Sequence, residues 1–256
     1  MDEIRVQEQY NPYPGIIQFD DKNPVLRSPY APNDLPFYQT KESLLDVDNF
    51  RLFLKNAETR FRASKEYKFY KSYLIENIGI DRCQIFGNIT TEDAEIELHH
   101  NVLGLHDICL LISLHIVNTV GVISTFDLIQ LLIQEHYENR VGVTFLSKTA
   151  HQMYTEGVDS YIPPEMTFGK WWELLSKYKY GITYDLANKV LKYIQKYQQN
   201  MPTTVNIPQQ EEILSYAYFN EYGWPAEYCG AIPVTEDEIH LLDAYPDEGG
   251  SEFDAY

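Results

Sequence analysis

Two adjacent histidines, His99 and His100, close the alternating run Ala94–His100 (AEIELHH) and are the side chains best placed to do chemistry. Neighbours on a strand point to opposite faces, so one imidazole can hold a metal while the other meets a substrate as general base. His151 follows on a stretch expected to be helical from Lys148 to Tyr154. A metal held between a strand and a helix, beside a free imidazole, suits assisted hydrolysis: the ion stabilises the leaving oxygen and the histidine activates water. The same spacing equally suits two histidines that end a strand at the surface. Six of the seven histidines fall between positions 99 and 151. Of the others, His115 reads as a core residue inside an apolar helix, and His106 and His136 as surface or helix-end residues.

Charge is the second signal. The chain of 256 residues carries 20 Lys and Arg against 38 Asp and Glu, a balance of −18 that argues against coating nucleic acid through its overall field. The distribution is uneven. Between Arg51 and Lys71 there are seven bases and two acids, a local +5, and between Lys170 and Lys196 six lysines face two acids, a local +4. After Lys196 come twelve acids and no Lys or Arg. Arg60, Arg62, Lys65, Lys68 and Lys71, interleaved with Tyr67, Phe69 and Tyr70, are the candidate phosphate-tracking surface. A solvated helix face with its aromatics in the core is the alternative.

The elements that must position these residues follow from periodicity. Residues 1–42, with NPYPG and KNPVLRSPYAPNDLP, read as an extended arm, because X-Pro steps interrupt helix and ladder alike. Leu45, Phe50, Leu54, Phe61, Tyr67, Tyr70 and Leu74 recur at helical spacing over Ser43–Asn77, with Gly79 as a stop. Asp81–Asn88 and Ala94–His100 are expected to pair as a hairpin. Two apolar helices, Leu105–Asn118 and Thr125–Glu138, come next, the second capped by Ser124 with Asp127. A strand Val141–Phe145 leads into the His151 helix, and helices Phe168–Tyr178 and Tyr184–Gln198 follow the Pro163-Pro164 break. The fold class is therefore α+β: a mostly helical domain over 43–200, an N-terminal arm, and an acidic tail over 201–256.

Other classes are excluded. The longest apolar candidate, Ile108–Ile123, is broken by Ser113, His115, Asn118 and Gly121, so no membrane span is expected. The opening residues show no basic region followed by an apolar stretch, so no signal peptide is expected. Cys83, Cys109 and Cys229 lack the spacing of a disulfide scaffold or a four-cysteine zinc site, which fits a reducing cytoplasm. No Walker A motif, dinucleotide loop or nucleophile elbow is present.

The run CQIFGN…AEIELHH, with VGVTFLSKTAHQMYTEG downstream, resembles the HNH (ββα-metal) nucleases, particularly the divergent HNH-type proteins of bacteriophages. The resemblance covers roughly residues 81–157. It implies His99 and His151 as metal ligands, His100 as general base, and a divalent metal (Mg, Mn or Zn) as cofactor. Two departures stand out. The family's second helical histidine falls on Thr155, and its central Asn falls near Gly142, leaving Asn139, three residues away, as the residue to orient the base. Glu156, Asp159, His136 or water are the candidates to complete the metal shell. The resemblance implies a DNA endonuclease in the cytoplasm of an infected bacterium. The alternative is an inactive viral structural or accessory protein on the same scaffold, in a virion or on a host machine, contacting a viral or host protein through its arm and acidic tail.

Overall fold

The computed structural model describes residues 38–156, 162–197, 210–221 and 224. Most of the expected arm and most of the expected acidic tail lie outside these residues. The chain enters at β1 (Tyr38–Thr40) and passes through α1 (Lys41–Leu44), α2 (Val47–Ala63) and α3 (Lys65–Glu76). The run Ser43–Asn77 is thus helical but broken twice, each time at a capping side chain on extended backbone. Asp46 accepts a hydrogen bond from the Asn49 N–H at the start of α2, and Ser64 accepts one from the Tyr67 N–H at the start of α3. Phe50, Leu54, Phe61, Tyr67, Tyr70 and Leu74 are buried as their spacing predicts, whereas Leu45 stays exposed.

The centre of the core is α4 (Leu105–Val120), an apolar helix with nine buried residues. It ends at Gly121, whose φ of +94° is the left-handed stop that glycine adopts without strain. β3 (Val122–Ser124) follows and pairs antiparallel with β1, Tyr38 opposite Ser124. Ser124 and Asp127 then form the capping box of α5 (Thr125–Tyr137).

The second small sheet differs from the expected hairpin. β2 (Ile96–His100) pairs antiparallel with β4 (Val143–Ser147), Ile96 opposite Ser147 and His100 opposite Val143. Residues 81–88 form no strand. They fold as a turn-rich loop with one bridge, Arg82 to Thr90, and the Gln84 N–H donates to the Phe145 carbonyl. Alternation identified β2 as a strand, but its partner lies 43 residues or more downstream.

β4 runs directly into α6 (Lys148–Glu156), so the His151 helix stands over the sheet that carries His99. Then come α7 (Trp171–Lys177), a 3-10 turn at Lys179–Gly181, and α8 (Tyr184–Tyr197). A Cβ on Gly181 would overlap the Leu111 carbonyl, so this turn lies directly against the α4 backbone. α9 (Gln210–Glu221) occupies part of the stretch expected as acidic tail. It is anchored, not loose: Ile213, Ala217 and Asn220 are buried, and Asn220 donates to the Ile182 carbonyl. Just beyond, Trp224 donates to the Asn118 side chain and packs 5.8 Å from the Phe50 ring. The mostly helical α+β reading holds, with two two-stranded sheets among the described residues.

Candidate functional site

The two histidines at the end of β2 point to opposite sides, and the two sides differ in kind. Glu97 and His99 share the outer face with α6 above them. The His99 and His151 ring centroids are 5.0 Å apart at a steep angle, and His151 Nδ1 lies 2.5 Å from a Glu97 carboxylate oxygen. The structure therefore brings His99 and His151 together, as their assignment to one metal requires. Imidazole ligands on one tetrahedral ion place their ring centroids about 5 Å apart, given metal–nitrogen bonds near 2.0–2.1 Å. A carboxylate on the far nitrogen is also the usual support of a ligating histidine. The donor set is short, however. Among the described residues there is no group of three or more His, Cys, Asp or Glu placed to hold a metal ion. The Thr155 and Glu156 side chains and all of Asp159 lie outside the described residues. Burial and the neighbouring His151 push His99 down to about 4, so it is neutral at pH 7.

His100 points inward. Its side chain is buried with the residue only 8% exposed, and its Nε2 lies 3.0 Å from His136 Nε2. His136 Nδ1 is 2.7 Å from the Leu132 carbonyl, which can only accept, so that nitrogen carries the proton. His136 Nε2 is then the acceptor, and His100 donates its Nε2–H to it. Phe61, Tyr67 and Tyr70 enclose the pair, with the Phe61 ring 4.7 Å and the Tyr70 ring 5.3 Å from that of His136. Burial pushes His136 down to about 4 and His100 well below its ordinary range, the latter further disfavoured from protonating by the adjacent His136 ring and the Arg62 charge. His100, expected as the general base, does not lie at the surface: its Nε2–H is committed to His136 and its ring sits in the core. His136 is corrected too. It is not a surface residue but a buried one, the partner of His100.

Asn139, expected to orient the base, stands just past α5 with φ +54°, a left-handed conformation that asparagine tolerates. Its N–H donates to the His136 carbonyl and its own carbonyl accepts from the Lys170 N–H at 2.6 Å. These main-chain bonds make it the stop that turns the chain out of α5. Cys83 is buried beside Leu146, Ala150 and Ile162, as a core cysteine should be.

The basic residues divide between two helices. Arg60 and Arg62 close α2, and Lys65, Lys68 and Lys71 lie on α3 beyond the break at Ser64. Arg60, Arg62, Lys65 and Lys68 are exposed; Lys71 is half-buried with its ammonium 5.4 Å from the centre of the Tyr67 ring. Of the interleaved aromatics, Tyr67 and Tyr70 go to the core, while Phe69 remains on the surface.

One group in α5 was missed by sequence reasoning. Glu135 is fully buried, accepting from Arg140 at 2.5 Å, Lys177 at 2.6 Å and the Tyr178 hydroxyl at 2.7 Å. Burial alone raises its carboxyl, but these three donors outweigh it and hold the group below the usual carboxylate range. The signal was present: Glu135 and His136 stand seven and eight residues after Leu128, on the same helical face as Leu132.

Residues 32–218 match the family model of the bacteriophage G278-like virion proteins. The chain belongs to that family. The match spans both sheets, the α2–α5 core and both histidine pairs. No curated protein and no solved structure matches the chain. Nothing in these comparisons links it to HNH nucleases. Among the described residues no helix is long and apolar enough to cross a membrane.

Proposed function

We propose that this virion-family protein acts without catalysis, as a structural or accessory component of the phage particle that works through protein contacts. The observation that carries the reading is the position of His100. A general base must reach the water or hydroxyl it deprotonates, and here that imidazole is buried, stacked beside Tyr67 and bonded to His136. The histidines on both sides of β2 then have structural work: one pair fastens β2 to α5, and the other, with Glu97, fastens it to α6. The acidic stretch after Lys196 supplies a surface for a basic protein partner in the particle or the host.

A second reading keeps the divalent-metal nuclease, and the 5.0 Å approach of His99 and His151 favours it. It places Mg, Mn or Zn on those two imidazoles and DNA on Arg60, Arg62, Lys65, Lys68 and Lys71. The two readings separate in one assay. Purified full-length protein is incubated with supercoiled plasmid and each of the three metals in turn, beside a His100→Ala variant. The first reading expects the plasmid to stay intact throughout. Cleavage by the parent that His100→Ala abolishes would overturn it.

A further inference from the structure

α3 presents two neighbouring rows of side chains away from the core. Lys65, Lys68 and Lys71 recur every three residues, so they follow one edge of the helix as neighbours about 5–6 Å apart. Lys65 and Lys68 are exposed, and Lys71 is half-buried with its ammonium over the Tyr67 ring. Phe69 and Tyr73, one turn apart, form the next row and are 64% and 41% exposed.

The lysine row is unfavourable where it stands. Cations at the start of a helix oppose its dipole, and like charges three residues apart repel. Lys65 is the first residue of α3, and Lys68 completes its first turn. Carboxylates relieve such charges elsewhere: Arg82 meets Asp81, Arg140 meets Glu135, Lys170 meets Glu173 and Lys189 meets Asp107. Among the described residues no carboxylate forms an ion pair with the three lysines, although α3 itself holds Glu66 and Glu76 and the chain carries 38 acids.

The two rows match the two parts of a single nucleic-acid strand. Cations track its phosphates, and aromatic faces take its bases by stacking. A duplex keeps its bases stacked inside and offers nothing to Phe69 and Tyr73. Its dense charge, one per about 1.7 Å, also meets the −18 of the whole chain. An acidic protein segment would answer the lysines and leave the bare aromatics without a role.

We propose that α3 holds a single-stranded nucleic acid, with phosphates along Lys65, Lys68 and Lys71 and bases against Phe69 and Tyr73. The contact needs neither metal nor cleavage. It therefore goes beyond both functions weighed above, and its failure is separate from the outcome of the plasmid assay.

Fluorescence anisotropy of the full-length protein with a labelled oligothymidylate, in EDTA and over a series of salt concentrations, tests it. Three phosphate contacts predict that log K falls against log salt with a slope of about −2. Lys65→Gln, Lys68→Gln and Lys71→Gln together should bring that slope close to zero. Phe69→Ala with Tyr73→Ala should instead weaken binding by about tenfold or more and leave the slope near that of the parent. None of these side chains lies in the core, so circular dichroism should show the parent's helix content in both variants. No binding at low salt, or a folded lysine variant with the parent's slope, overturns the proposal. Tighter binding of a duplex of the same length, or equal binding of polyglutamate with no loss in the aromatic variant, overturns the single strand as occupant.

Discussion

The buried His100–His136 pair makes a sharp prediction about acid. Both imidazoles are neutral in the folded protein and both have pKa values below the unfolded value, near 6.5, with His136 at about 4. As pH falls through about 6.5, the unfolded chain takes up protons that the folded chain refuses, so stability drops with falling pH. For His136 alone, integrating between pH 7 and pH 5 gives a loss of about 2 kcal/mol, and His100 adds to it with the same sign. His106 works the other way: its hydrogen bond to Glu58 raises it, so it favours the folded state at low pH and loses that contribution as pH rises through its folded value. That side chain is more than half exposed, so its weight is small. For a chain of this size about 2 kcal/mol corresponds to roughly 4–8 °C in Tm. The perturbation is His136→Gln, which keeps an acceptor for His100 but does not titrate. Urea denaturation at pH 7 and pH 5 should show the variant losing about 2 kcal/mol less than the parent across that interval. Equal losses in parent and variant, or a parent indifferent to this change of pH, would refute the assignment of a neutral buried pair.

Three further outcomes follow from the same contacts. Glu135→Ala leaves Arg140 and Lys177 without their shared carboxylate and should cost about 3–5 kcal/mol in chemical denaturation; because the parent carboxyl is held low, its contribution is present above the unfolded carboxylate pKa and lost as pH falls through the folded one. Ser124→Ala removes the cap of α5 and should cost about 1 kcal/mol by the same measurement. Gly181→Ala drives a methyl into the Leu111 carbonyl and should lower Tm measurably, whereas Lys68→Gln on the exposed face of α3 should stay within about 0.5 kcal/mol of the parent.

Much of the helical frame was legible in the sequence because its causes are local. Ser124 with Asp127, and the spacing of Phe50, Leu54 and Phe61, act within a turn or two of themselves. Strand β2 was legible for the same reason. Its partner was not, since alternation records which face is buried and is silent about which distant segment supplies the hydrogen bonds. The short strands β1 and β3 were missed because three residues are too few to show a period. In the site, the approach of His99 to His151 was legible from the order strand–strand–helix. The fate of His100 depended on His136, 36 residues away on α5, whose place near the helix end made it read as exposed. Glu135 shows the same limit: a charge on an apolar face is read as exposed until Arg140, Lys177 and Tyr178 are seen to converge on it.

The central claim is that this chain works inside the particle through contacts and not through cleavage. Quantitative mass spectrometry of gradient-purified phage particles tests it most directly, with the infected-cell lysate measured in parallel. The account predicts the chain in the particles at a fixed copy number relative to the major capsid protein, retained after nuclease treatment and salt washing. A chain confined to the soluble lysate, in fractions that cut DNA with added metal, would contradict it.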